Sequence, residues 1–118
     1  MEALLSLDFE LKRELMTTVR LATGGVCSLM GLNLDESEDC KVCVTEGLLL
    51  LMHRGFRTAN LQFFQDEGMK VRIAGGKREE INEQSAEDEI SAALLEALAR
   101  DVKMEKEDGR VHTIVFRF

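Results

Sequence analysis

Apolar and polar positions alternate in the first residues of the chain and then change to a helical period. The segment Leu5–Phe9 alternates strictly, which predicts a short strand. Apolar residues recur at helical spacing over Leu11–Met30 and again over Asp35–Arg54, which predicts two helices. We expect Asp35 to cap the second helix, because Glu38 lies three residues further on as a capping-box partner.

The second half of the chain has the pattern of two hairpins separated by a loop and a helix. The polar stretch Gly75–Glu87 predicts a loop or lid, and the apolar positions of Ile90–Leu98 predict an amphipathic helix. The predicted strands are Asn60–Phe64, Met69–Ile73, Val102–Lys106 and Val111–Phe116. We therefore expect an α+β fold, a two-layer sandwich with a mostly antiparallel sheet and helices on one face. Residues 1–118 are expected to form a single domain.

Charge and composition narrow the classes of function. The chain has 15 basic and 22 acidic residues, a net charge of −7, which argues against binding to nucleic acid or anionic membranes. The start, Met1–Leu5, lacks the features of a signal peptide, and the longest apolar run, Leu48–Met52, is too short to span a bilayer. An odd count of three cysteines indicates reduced thiols. Together these features predict a cytoplasmic protein.

The middle of the chain carries a recognisable series of segments, namely Val19-Arg20-Leu21, Gly25-Val26, Met30-Gly31, Asp35–Asp39 and the helix Val42–Phe56. Together they resemble the anti-sigma-factor serine kinases, which belong to the histidine-kinase-like (GHKL) ATPase superfamily. The order of elements from Val19 to Phe118 is similar as well. The resemblance implies the fold of that superfamily and a regulatory role in bacterial transcription. It also implies a protein partner: a sigma factor, an anti-anti-sigma protein or a second copy of the chain as a homodimer.

The helix motif of that family departs from its pattern in this chain. Family members carry a glutamate that acts as general base and, four residues later, an asparagine that binds magnesium. By this resemblance Glu46 is a vestigial candidate for the base, whereas Leu50 stands at the position of the asparagine. A leucine offers no oxygen to a hard cation, so we expect the magnesium site to be lost.

Two further motifs of the family are also changed. Gly75 stands where the resemblance implies an aspartate that accepts a hydrogen bond from adenine. The glycine-rich lid that would cradle phosphates corresponds to Glu87–Ala93, which has no glycine and opens with three acids, Glu89 the last of them. The former nucleotide cleft would thus lie at Leu50, Gly75 and Glu89. We therefore predict that the chain uses no ATP, no metal and no other cofactor, and that it has no catalytic residue beyond the vestigial candidate Glu46.

The apolar turn Leu48–Met52 has two interpretations. Five consecutive apolar residues cover every side of a helix, so some of them must meet something other than the sheet. In the first interpretation the former cleft has become core and Leu50 fills it. In the second the turn is an exposed interface, because monomers seldom show large apolar patches. The interface candidates are Leu49, Leu50, His53 and Arg54.

Two further short motifs are candidates for binding or redox chemistry. Cys40 and Cys43 form a Cys-x-x-Cys pair that would suit a metal or redox site, but buried thiols that act as small apolar groups are commoner. Gly75-Gly76-Lys77-Arg78 would bind an anion through its backbone amides, although it lacks the rest of a phosphate-loop pattern.

Three hypotheses about function follow from these observations. The first is a catalytically silent anti-sigma-factor-like protein that acts by protein–protein binding. The second is an atypical ATP-dependent serine kinase that uses Glu46 as its base. The third is a structural dimerisation domain in which Cys40 and Cys43 sense redox state or metal.

Overall fold

The computed structural model of the chain covers residues 1–78, 86–107 and 109–118. Within these residues, helices and strands follow the predicted order, with an α+β arrangement of five strands and three α-helices. The strands are β1 Leu5–Glu10, β2 Thr58–Gln65, β3 Met69–Gly75, β4 Arg100–Glu107 and β5 Arg110–Arg117. The helices are α1 Met16–Leu29, α2 Leu34–His53 and α3 Ala86–Leu98, and a short 3-10 turn, Arg13–Leu15, precedes α1. The predicted α+β class is confirmed.

The strands form one antiparallel sheet in the order β1-β2-β3-β5-β4. Its register aligns apolar residues in rows across the sheet. One such row contains Leu7, Leu61, Ile73, Ile114 and Met104. Because alternate residues of a strand point to opposite faces, this register places the buried apolar residues of the strands on one face.

Helix α2 covers the centre of that apolar face. A Cβ atom at Gly47 would lie 2.8 Å from Ile73 Cδ1 and 3.5 Å from Ile114 Cδ1, so the absence of a side chain allows the helix to approach the sheet closely. Val44 and Leu48, on the same helix, are fully buried. In the part of the chain that the model covers, no helix has the length and apolar character needed to cross a membrane.

The start of α2 differs from the prediction. Asn33, not Asp35, caps the helix: its side chain accepts a hydrogen bond from the Glu36 amide at 2.8 Å, and the Glu36 carboxylate accepts one from the Asn33 amide at 3.0 Å. Both candidates have a glutamate three residues on, so the capping-box spacing does not distinguish them. The helix begins one residue before Asp35, with the exposed Leu34 in its first position.

The predicted loop Gly75–Glu87 is shorter at both ends than the sequence indicated. Gly75 is the last residue of β3, where it pairs with Ala59, and Glu87 lies in the first turn of α3. The helix begins at Ala86, ahead of the apolar positions from which we predicted it, because acidic residues are favoured in a first helical turn. The remainder of the predicted lid, residues 79–85, lies outside the described residues.

Candidate functional site

A buried ion pair connects the end of α2 to the start of α3. Arg54, the C-terminal cap of α2, donates from Nη2 to Oδ2 of Asp88 at 2.6 Å. His53 Nδ1 lies 3.1 Å from the other carboxylate oxygen of Asp88, and its Nε2 lies 3.8 Å from Glu87. Arg54 and Asp88 are both buried. We call His53, Arg54, Glu87 and Asp88 the Arg54 cluster; it holds an anionic side chain at the N-terminal end of α3, where the helix dipole favours it.

Glu46 also faces α3. Its Oε2 accepts a hydrogen bond of 2.7 Å from the Ser91 hydroxyl, and Ser91 is buried. The carboxylate of the candidate base is therefore engaged within the protein in this structure.

Leu50 lies between these two polar contacts and is 3% exposed. It lines a pocket of about 170 Å³ together with Arg54, Asp88 and Ala92 on the helices and Met104 on β4. The pocket is small beside the 300–1,000 Å³ typical of ligand sites.

The apolar turn around Leu50 is mostly in the core. Leu48, Leu50 and Leu51 are buried, whereas Leu49 and Met52 are half-buried. Of the four interface candidates, only Leu49 and His53 keep part of their surface exposed, and Leu50 and Arg54 are covered. Their role as an interface stays a prediction.

The other two positions of the former cleft lie outside this pocket. A Cβ atom at Gly75 would be 2.5 Å from the Phe56 ring, so that ring fills the space that any side chain at this position would need. Glu89 is exposed in the first turn of α3. Sequence reasoning missed both Phe56 and the Asp88–Arg54 pair, because periodicity does not reveal which residues two distant segments bring together.

The three thiols are free and buried, and the contact between them joins two helices. A hydrogen bond between the Cys27 and Cys40 side chains links α1 to α2, lowering the pKa of Cys27 to about 7 and raising that of Cys40. Burial raises the pKa of Cys43 to about 12. The thiol partner of Cys40 is thus Cys27. No group of three or more His, Cys, Asp or Glu residues within the described chain could hold a metal ion.

A separate apolar surface lies on the outer side of α1 and at the start of α2. Leu21, Leu29 and Leu34 are 73%, 75% and 76% exposed. Gly25 is also exposed on this helix, and a Cβ atom added there would meet nothing within 4 Å. We call Leu21, Gly25, Leu29 and Leu34 the α1 face. Exposed apolar residues mark a protein-binding surface where they form a contiguous patch, so these three leucines are candidates for one.

Comparison with protein-family models gives no match for this chain, and no curated protein matches it significantly. The likeness to the anti-sigma-factor kinases therefore rests on the residues and the order of elements described above.

Proposed function

We propose that the chain is a catalytically silent anti-sigma-factor-like protein with the two-layer fold of the histidine-kinase-like ATPases. It regulates bacterial transcription by binding a protein partner and transfers no phosphoryl group. The observation that carries the silent part of this proposal is the position of Phe56. Its ring occupies the space beside Gly75 in which, by the resemblance, an aspartate would meet adenine.

The replacement of the metal ligand supports the same interpretation. Leu50 is buried against the Arg54 cluster and presents only carbon atoms to the small pocket beside it. A magnesium ion requires near-octahedral oxygen ligands, so this position would contribute nothing to its coordination. Glu46, the candidate base, is held by the Ser91 hydroxyl.

The start of α3 also supports the absence of ATP binding, because it does not favour phosphate groups. In the family this region carries amides that cradle phosphates, whereas here the Asp88 carboxylate is buried at that end and bound to Arg54. A phosphate brought to within about 4 Å of a second negative charge would be repelled by roughly 1–4 kcal/mol per charge pair, depending on exposure to solvent. The paired Arg54 charge offsets part of this repulsion, but its Nη2 donor is already bound to Asp88.

The α1 face is the surface that we assign to the partner. By the resemblance, family members pair through the early helix and strand. Here the exposed Leu21, Leu29 and Leu34 lie on the early helices, and β1 is an edge strand of the sheet. An edge strand presents unpaired backbone groups that a second chain can meet. A sigma factor, an anti-anti-sigma protein or a second copy of this chain would dock here.

Titration with Mg-ATP, followed by the thermal unfolding temperature, tests the silent part of the proposal. A nucleotide at roughly one hundred times its Kd would add about 2.7 kcal/mol of stability. We expect no magnesium-dependent rise. A clear magnesium-dependent rise in unfolding temperature would instead support the atypical kinase. In that case a phosphorylation assay should also detect transfer to serine, and Glu46→Gln should abolish that transfer.

Co-purification from the native host tests the binding part. We expect the chain to retain a sigma factor, an anti-anti-sigma protein or its own second copy, and we expect Leu21→Glu with Leu29→Glu to abolish that retention. Retention of such a partner that survives this double substitution would disprove the assignment to the α1 face.

A further inference from the structure

A groove at one end of β1, β2 and β3 is lined mostly by basic side chains, whereas the chain as a whole is acidic. It has a volume of about 700 Å³, and four basic side chains line it, Lys12, Arg57, Lys77 and Arg78, together with Glu10 and Thr58. Acidic residues exceed basic ones by seven over the whole chain, yet the described residues that line this groove include four basic side chains and one acidic side chain. We call this the basic groove. It concentrates positive potential on a protein that otherwise repels anions.

Two nitrogen atoms of the Arg78 guanidinium group lack a hydrogen-bond acceptor among the described residues. Its guanidinium group lies over the Phe56 ring, with Cζ 4.2 Å from the ring centroid. Its Nε and Nη2 atoms are covered, and neither has a hydrogen-bond partner in the described part of the chain. Stacking engages the flat face of the guanidinium and leaves the N–H edge, where a planar fork of donors fits two oxygens of one anion. Covered, charged donors without acceptors are costly. An oxyanion would therefore be bound favourably once a small movement of the Arg78 side chain opens this edge to the groove.

The backbone around Arg78 positions the basic side chains but does not itself offer a site. The Gly76 amide donates to the Thr58 carbonyl at 2.9 Å, and the Lys77 amide donates to the Thr58 hydroxyl at 2.9 Å. The prediction that the amides of Gly75–Arg78 bind an anion is therefore wrong for these two amides, which already have partners. These two bonds fix the segment after β3 against β2, so that the side chains of Lys77 and Arg78 both line the groove.

Lys12 can join an anion in the groove at little cost. It pairs with Glu10 at 2.8 Å, but both side chains are more than half exposed. Such a surface pair contributes little stability, so Lys12 is able to exchange Glu10 for a more highly charged partner.

We propose that the basic groove binds a phosphate group, either as inorganic phosphate or carried by a small molecule. Among the described lining residues, the positive charges of Lys12, Lys77 and Arg78 suit a dianion better than a single carboxylate, and the volume lies within the range of small-molecule sites. Arg78 would hold two phosphate oxygens, with Lys77 and Lys12 as further charge contacts. This inference goes beyond the proposed function and does not depend on it.

Calorimetric titration at constant ionic strength tests the proposal, with inorganic phosphate, phenyl phosphate and citrate as probes and chloride as the balancing anion. We expect both phosphates to bind and Arg78→Gln to weaken their Kd by roughly tenfold or more, the usual effect of losing a charged hydrogen-bond pair. Arg78→Lys keeps the positive charge but loses the planar pair of donors. Its Kd for phosphate should therefore lie between those of the original chain and Arg78→Gln. Tighter binding of phenyl phosphate than of inorganic phosphate would identify a phosphorylated small molecule as the ligand class.

Arg72→Gln is the matched control. Arg72 lies on β3, pairs in register with Gln62 and Val115, and does not line the groove, yet its substitution changes the net charge by the same amount. We expect it to leave the Kd for phosphate unchanged. Equal weakening by Arg72→Gln and Arg78→Gln would mean general attraction and overturn the site. So would citrate binding without phosphate binding, which would indicate a carboxylate-bearing partner. Unchanged circular dichroism of each variant establishes that it is folded.

Discussion

At the scale of single residues, two glycines differ in the space that surrounds them. A side chain at Gly75 would meet the Phe56 ring, whereas a Cβ atom at Gly25 would meet nothing within 4 Å. The Phe56 ring occupies the space beside Gly75, at the end of β3, and ring atoms would lie 2.5–2.6 Å from a Cβ atom there. Gly25, in the middle of α1, has nothing within 4 Å of the same atom. The identity of Gly75 is thus fixed by packing, whereas that of Gly25 is not.

Alanine at these two positions should have effects of opposite sign. Gly75→Ala should lower the free energy of unfolding by about 1–3 kcal/mol, because Phe56 must move to admit the methyl group. Gly25→Ala, in an exposed helix interior, should raise it by about 0.5–1 kcal/mol, because alanine is the better helix former. Urea denaturation of both variants measures the two changes. A neutral Gly75→Ala would mean that the Phe56 ring is free to leave this space, against the filled cleft that we propose.

The Arg54–Asp88 pair is a second contact whose value can be measured residue by residue. Both side chains are buried, so removal of one partner leaves the other charge in the interior, at a cost of about 3–5 kcal/mol. We expect Arg54→Met and Asp88→Asn each to be strongly destabilising, and the double variant to lose much less than the sum of the two. A double-mutant cycle by denaturant unfolding gives this coupling energy. Additive losses would contradict a direct interaction between the two side chains.

At the scale of elements, the sequence predicts the type and order of helices and strands but not how they meet. Alternation and helical spacing are local signals, so the strand Leu5–Phe9 and the helix ending near Arg54 were found nearly at their true bounds. The cap of α2 was misplaced because Asn33 and Asp35 have the same spacing to a glutamate. The pairing of Cys27 with Cys40 depends on how α1 packs against α2, which no spacing along one helix can encode.

That helix contact predicts how stability depends on pH. In the native state, burial raises the pKa of Cys43 from 9.0 to about 12, and the hydrogen bond with Cys27 raises that of Cys40 as well. Above pH 9 the unfolded chain therefore releases thiol protons that the native state keeps. The free energy of unfolding should then fall as pH rises from 9 towards 12, by up to about 1.4 kcal/mol per pH unit for each thiol.

Cys43→Ala isolates the contribution of one thiol to this slope. Urea unfolding at a series of alkaline pH values should give a shallower decline for the variant than for the original chain, whatever the variant's absolute stability. Lysine titrations affect both proteins alike and cancel in the comparison. Parallel declines would show that Cys43 ionises equally in the native and unfolded states, and would refute its raised pKa.

At the scale of the whole molecule, the surfaces of the fold differ sharply in chemistry. The sheet face opposite α2 carries polar rows such as Ser6, Gln62 and Arg72, as expected for a face in contact with water. The basic groove lies at one end of the sheet, and the α1 face exposes apolar residues on the helices. The α1 face is the part of the surface that we propose a partner buries.

A second copy of this chain is the simplest partner that could bury the α1 face, and this dimer can be tested with the purified chain alone. We expect the native protein to sediment as a dimer at high concentration and to dissociate on dilution. Leu21→Glu with Leu29→Glu should shift it to a monomer, because each carboxylate would be desolvated in the interface without a partner. Stability of the monomer should change by only about 0.5 kcal/mol, since both positions are exposed.

Ile90→Glu, with one added negative charge, is the control for Leu21→Glu and Leu29→Glu made singly as well as together. Ile90 is an exposed apolar residue of similar size, 60% exposed, but it lies on α3. If the α1 face is the contact, Ile90→Glu leaves the dimer intact while the double substitution on α1 dissociates it. If both variants dissociate the dimer equally, acidic charge alone weakens association, and a net charge of −7 made more negative is a sufficient explanation. If the native chain is monomeric at every concentration, the homodimer is excluded, and the α1 face must be tested against a sigma factor or an anti-anti-sigma protein.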